Sequence, residues 1–193
     1  MPATEAVRPL GIYPVRDIVS ARDQAHWARK DIHMNTNVGQ LATEWLSNEV
    51  WGIRPREERD LAAIAKAVII CAKGDRELSA AERNWMIGAY AARGVPATLI
   101  DELRAYEGQD DLATVLKGTG VEHAAPRVVI YMALQACAAD GELHPLEVAA
   151  IVKMGGILGV SEAVVTQLKA VFEEERAVRA KRIKLAFPDG PPS

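Results

Sequence analysis

Two short acidic segments share the pattern D-x-E-L-x-x-x-E, and carboxylates at this spacing could bind a hard cation. The second segment begins 65 residues after the first, and each carries three carboxylates: Asp75, Glu77 and Glu82, then Asp140, Glu142 and Glu147. Like charges about 4 Å apart repel each other by roughly 4 kcal/mol at an effective dielectric constant near 20. A divalent ion that accepts oxygen ligands, such as Ca²⁺, Mg²⁺ or Mn²⁺, would relieve this repulsion. The pattern therefore predicts divalent-cation binding, with Ca²⁺ as the first choice.

The last glutamate of each segment has a second interpretation, which is helix capping. Ser79 precedes Glu82 by three residues, the layout of a capping box in which side chains and backbone N–H groups exchange hydrogen bonds. His144 precedes Glu147 at the same spacing, and Pro145 stands at the first helical position. Both interpretations stay open at this point. Because capping does not require an Asp-x-Glu pair, the cation hypothesis depends mainly on those pairs.

The two acidic segments are not equal in sequence. The second has Gly141 where the first has Arg76, and it also contains His144. The spacing is not that of an EF-hand, which needs a loop of about twelve residues with its glycine near the middle. We expect the second segment to form the better cation site.

The acidic segments lie within a longer repeated unit. At the same offset, the apolar stretch 64–70 matches 129–135 before the turn, and 94–96 matches 159–161 after it. A glycine just past a periodic apolar run ends a helix, and a following proline or serine begins the next. Each unit is therefore predicted to contain a helix, an acidic turn and two further helices. No segment has a convincing strand pattern, so the predicted fold is all-α, an internally duplicated helical bundle with an N-terminal helical extension.

Composition excludes several classes of protein. The chain has 193 residues, 49% of them hydrophobic, and a net charge of −3, which suits one buried core in a soluble protein. The N-terminus has no signal pattern, and no apolar run is long enough to span a membrane. Cys71 and Cys137 form no CxxC motif and fall in helical runs, so we expect reduced core thiols in a cytoplasmic protein. The acidic balance gives little support to nucleic-acid binding.

The chain is predicted to have three regions. Residues 1–54 form the N-terminal extension, with helices expected over 16–33 and 38–50, and residues 55–172 form the duplicated domain. A short helix and a turn are expected within 109–121, between the two repeats. Residues 173–193 begin as a charged helix end and continue as a Pro-rich tail, which we expect to be mobile without a partner. The extension or the tail could contact a protein partner or a second copy.

The second acidic segment resembles the bacterial tellurite-resistance TerB family. The resemblance is carried by Ala138-Ala139-Asp140-Gly141-Glu142-Leu143, followed by Glu147 and Leu158-Gly159-Val160, and it covers about residues 58–172. It implies an all-helical, internally duplicated fold with acidic residues at the inter-helix turns. It also implies divalent-cation binding by the six carboxylates of the two segments and an accessory role in stress response, and it implies no known reaction.

Histidines outside the resemblance suggest an alternative. His26 and His33 are seven residues apart, so they share a face of a continuous helix. Together with Glu142 and the other turn carboxylates, they could build a nitrogen–oxygen site for a transition metal such as Fe, Mn or Zn. This hypothesis makes the protein a small metal-dependent enzyme whose pocket the extension completes, with His26, His33 and Glu142 as catalytic candidates. The opposing interpretation is that these are ordinary surface or half-buried histidines, and whether the protein is an enzyme stays open.

Overall fold

The computed structural model describes residues 38–52, 61–75, 77–120 and 125–191, with the backbone alone at Val38 and Asp75. All regular secondary structure in these residues is helical and none is strand, so the predicted all-α class is confirmed. None of their helices is long and apolar enough to cross a bilayer. The helices are α1 (Val38–Trp51), α2 (Leu61–Ala72), a 3-10 turn (Lys73–Asp75), α3 (Ala80–Ala91), α4 (Ala97–Ala105), α5 (Leu112–Leu116), α6 (Pro126–Cys137), α7 (Pro145–Ile157) and α8 (Glu162–Ala186).

The chain divides into two compact units, Met1–Arg54 and Pro55–Ser193. The described part of the first unit is α1, which confirms the helix predicted over residues 38–50. Its large apolar side chains Leu41, Trp45 and Val50 are exposed. The helix predicted over residues 16–33, which would carry His26 and His33, lies outside the described residues.

The core of the second unit is built around α2 and α6, which pack against each other. Both helices are rich in buried apolar residues and are apolar on nearly every face, as expected for helices at the centre of a core. Helices α7 and α8 cover α6, while α5 lies against α2. Cys71 and Cys137 are buried and free, as predicted for core thiols, and the Cys71 sulfur lies 3.8 Å from the sulfur of Met154.

The helices of the second unit follow the predicted order. Helices α6, α7 and α8 each begin 65 residues after α2, α3 and α4, respectively. Helix α8 is much longer than α4, with 25 residues against 9, and it continues through the boundary predicted at residue 172. Between the two sets of helices lies α5, followed by Gly118 and Gly120 with positive φ, which confirms the short helix and turn predicted there. The internal duplication itself stays a prediction.

A glycine allows α7 and α8 to come close together. A Cβ on Gly155 would lie 3.0 Å from a Val165 methyl carbon and 3.1 Å from the Val160 carbonyl oxygen. The next residue, Gly156, has open space at the corresponding position. Gly155 therefore marks the point where the start of α8 packs against α7, and this contact positions α8 beside the second acidic segment.

Candidate functional site

Both acidic segments end in a capped helix start. Ser79 donates its N–H to Glu82 Oε2 at 2.7 Å, and its hydroxyl oxygen accepts the Glu82 N–H at 3.2 Å. At the start of α7, His144 donates its N–H to Glu147 Oε2 at 2.8 Å, and its Nδ1 accepts the Leu146 N–H at 3.2 Å. The capping interpretation is therefore confirmed for one oxygen of each glutamate.

The two capping glutamates are buried, which capping alone does not require. Their exposed fractions are 2% for Glu82 and 3% for Glu147. No described residue donates a hydrogen bond to Glu82 Oε1, although this atom is buried. A buried acceptor without a donor costs about 1–3 kcal/mol, so such atoms call for an explanation such as a bound ion or water. In Glu82, therefore, Oε2 caps the helix, whereas the buried Oε1 accepts no hydrogen bond from the described residues.

The second acidic turn is engaged by other parts of the chain. Asp140 Oδ1 accepts the Glu142 N–H at 3.1 Å, and both side chains are exposed. Gly141 adopts a φ of 112°, which favours glycine, and its carbonyl accepts a hydrogen bond from the Arg176 guanidinium at 2.7 Å. No three His, Cys, Asp or Glu side chains among the described residues come together as a set that could hold a metal. The three carboxylates predicted for the second site therefore do not converge in this fold.

The first acidic turn packs against the second segment. A Cβ on Gly74 would lie 2.9 Å from the Leu146 carbonyl oxygen and 3.0 Å from the Glu147 Cα. The backbone beside Asp75 is thus in contact with the start of α7, while Glu77 is exposed. The sequence groups the carboxylates within each acidic segment, whereas the fold also places the first acidic turn against the start of α7 in the second segment.

Two buried thiols lie within electrostatic reach of the capping glutamates. Burial, with a smaller contribution from the negative charge of Glu147, raises the pKa of Cys71 from its ordinary 9.0 to about 12. Burial, the neighbouring Cys71 and both glutamates also raise the pKa of Cys137 well above its ordinary value. These thiols are therefore neutral and unreactive near neutral pH, because the thiolate is the nucleophile. The sequence did not point to this grouping, since Cys71 and Cys137 are not equivalent positions of the repeat.

Helix α8 is held against α6 by aromatic and polar contacts. Phe172 meets the Tyr131 ring edge-on with centroids 5.9 Å apart, and the Tyr131 hydroxyl donates a hydrogen bond to Glu175. The Arg176 guanidinium lies 5.7 Å from the centre of the Phe172 ring. A cleft of about 860 Å³ opens beside these contacts, lined by α8, Trp85 and the Asp140 turn. These contacts hold the middle of α8 against α6.

The proposed catalytic residues are only partly described. His26 and His33 lie outside the described residues, and Glu142 is an exposed residue of the second turn. The enzyme hypothesis therefore stays a prediction.

A solved structure is similar to most of this chain. The crystal structure of a tellurite resistance protein from Nostoc punctiforme matches it with a TM-score of 0.70 and 34% sequence identity. The match covers 82% of this chain and 99% of that one. The chain belongs to this tellurite-resistance family. The matched part of this chain is longer than residues 58–172, the range over which the sequence resembles the TerB family. No protein-family model and no curated protein matches the chain.

Proposed function

We propose that this protein is a cytoplasmic, non-enzymatic accessory protein of tellurite or related stress resistance that binds a divalent cation at its first acidic turn. The role is supported by one observation above all, the 34% identity over 99% of the length of a protein described as a tellurite resistance protein. The proposed cation site is supported separately by Glu82 Oε1, which is buried and accepts no hydrogen bond from the described residues.

The first turn is the better place for a cation on chemical grounds. Asp75, Glu77 and Glu82 would hold it, with Ca²⁺ as the first choice and Mn²⁺, Mg²⁺ or Fe²⁺ as alternatives. Glu82 already uses Oε2 for the helix cap, so Oε1 can accept a cation without breaking the cap. At the second turn, Arg176 places a positive charge beside Gly141, which disfavours a second cation there. A bound ion would neutralise the turn and tie it to the start of α3.

The stress role is tested by deleting the gene from the organism that encodes it. We expect the deletion strain to show a several-fold lower inhibitory concentration of tellurite than the parent, and a plasmid copy of the gene to restore it. The measurement is growth over a tellurite dilution series, with a second toxic oxyanion as a comparison. Unchanged tolerance to both compounds in the deletion strain would contradict the role.

The cation site is tested with a matched pair of variants. Glu82→Gln removes the charge beside the open oxygen, and Glu147→Gln makes the same change at the other capped helix. We expect Glu82→Gln to weaken Ca²⁺ binding about tenfold or more, since ligand charge sets affinity. Glu147→Gln should leave the affinity nearly unchanged. Calorimetric titration of the full chain with Ca²⁺ measures both values.

Thermal unfolding gives an independent measure of the same site. A cation at about 100 times its dissociation constant stabilises the folded state by about 2.7 kcal/mol, provided that it binds only that state. We therefore expect the melting temperature to rise by roughly 5–10 °C with Ca²⁺ relative to chelator. A melting temperature that responds to neither Ca²⁺, Mn²⁺, Mg²⁺ nor chelator would rule out the cation site and leave the stress role intact.

A further inference from the structure

One face of α8, beside the cleft, carries three exposed apolar side chains in line. Val171, Val178 and Leu185 are 47%, 66% and 75% exposed, and each follows the previous one by seven residues. Residues seven apart lie on one line of a helix, and the line extends about 20 Å at a rise of 1.5 Å per residue. A single exposed apolar residue is ordinary, but three aligned on one helix form an apolar stripe of the kind found at interaction surfaces.

The charges beside this stripe are arranged in two blocks of opposite sign. Glu174 and Glu175 precede Val178, and Lys181 and Arg182 follow it. These four charges are the ones nearest the stripe, and they sum to zero. A helix of the same sequence running in the opposite direction would place each block against its complement. The surface is therefore complementary to itself.

The positions of the charges match this reversed pairing on both flanks of the stripe. At 3.6 residues per turn, Glu174 and Lys181 lie about 50° to one side of Val178, and Glu175 and Arg182 about 50° to the other side. In an antiparallel pair related by a two-fold axis at Val178, equivalent flanks lie side by side. Glu174 then faces Lys181 of the second copy and Glu175 faces its Arg182, each pair occurring twice.

We propose that two copies of this protein associate through α8 in antiparallel orientation about Val178. Val178 then packs against Val178 of the second copy, and Val171 packs against its Leu185. The surface is preorganised for this contact, because the Tyr131 hydroxyl donates a hydrogen bond to the Glu175 carboxylate and Phe172 packs α8 against α6. The adjoining cleft of about 860 Å³, which Val171 and Val178 also line, widens the contact beyond one helix face. This proposal is independent of the cation and of the stress role.

Sedimentation equilibrium of the full chain over a roughly hundredfold concentration range tests the association. We expect a monomer–dimer equilibrium whose dissociation constant rises about 100-fold in Val178→Glu, since two carboxylates would then meet in an apolar contact. Ala180→Glu is the matched control, because Ala180 is exposed on the opposite face of the same helix and receives the same charge. That control should leave the dissociation constant unchanged, and circular dichroism should show a native helix content in both variants.

A charge exchange tests the antiparallel direction. Glu174→Lys and Lys181→Glu each place like charges opposite one another, so each alone should raise the dissociation constant about tenfold. An equimolar mixture of the two variants should recover the native value, because every lysine then faces a glutamate. A chain that is monomeric over the whole range overturns the proposal. So does a dimer that Val178→Glu and Ala180→Glu weaken equally, or a mixture that stays monomeric.

Discussion

Replacing Gly74 with alanine should lower the free energy of unfolding by about 2 kcal/mol, because the new methyl group meets backbone atoms that cannot rotate away. The Cβ would lie 2.9 Å from the Leu146 carbonyl oxygen, 3.0 Å from the Glu147 Cα and 3.1 Å from the Glu147 nitrogen. To relieve these contacts, the 3-10 turn and the start of α7 must separate. That movement would expose Glu147 and weaken its cap on the helix.

Gly88→Ala is the matched control for this substitution. Gly88 lies inside α3, and a Cβ there has open space within 4 Å. Alanine is the better helix former by about 1 kcal/mol, so this change should raise the free energy of unfolding slightly. Urea denaturation of the two variants measures the difference, which should be about 3 kcal/mol. A Gly74→Ala protein as stable as Gly88→Ala would mean that the turn does not press against α7.

The free energy of unfolding should fall steeply as pH rises above about 9. In the folded state burial holds the pKa of Cys71 at about 12, whereas its ordinary value is 9.0. Between these two values the unfolded chain loses the proton and the folded chain keeps it, so the unfolded state is favoured increasingly as pH rises. One unit above the unfolded pKa, a single buried thiol accounts for about 1.4 kcal/mol of this loss. The raised pKa of Cys137 acts in the same direction.

The double variant Cys71→Ala, Cys137→Ala identifies the thiols as the source of the early part of this loss. Its free energy of unfolding should be lower at pH 7, but it should decline less between pH 9 and 10 than that of the native chain. Tyrosines with raised pKa values, such as Tyr106 at about 12, contribute at higher pH and remain in the variant. Denaturant titrations at pH 7, 9 and 10 measure the slopes, and equal slopes would contradict the assignment. In the native chain, a thiol reagent at pH 8 should label neither cysteine until the protein unfolds.

Much of the helical order could be predicted from local chemistry. Ser79 and Glu82 form the predicted capping box, and Pro145 begins α7 as expected, because the groups that satisfy a helix start lie within four residues of it. Gly94 and Gly159 have the positive φ typical of a residue that ends a helix. Glu147 at the start of α7 was predicted for the same local reason.

The candidate site was harder to predict, because its contacts join residues far apart in the chain. Arg176 reaches the Gly141 carbonyl from α8, and Gly74, beside the first acidic turn, contacts the start of α7. Both contacts lie at the turns where a cation was predicted, yet neither leaves a signal in the local spacing of carboxylates. The sequence favoured the second turn as the cation site because it contains Gly141. It gave no sign that the Arg176 guanidinium lies beside that glycine.

The amino-acid sequence by itself determined the helices, their caps and the all-α class, since these depend on side chains a few residues apart and on apolar periodicity. Tertiary structure alone decided how the surroundings of the two D-x-E-L-x-x-x-E segments differ. It buried both capping glutamates beside the two thiols, left Glu82 Oε1 without a donor among the described residues, and brought Arg176 to the second turn. The physical reason is that desolvation and charge pairing depend on which helices pack together, and packing joins positions that sequence spacing leaves far apart.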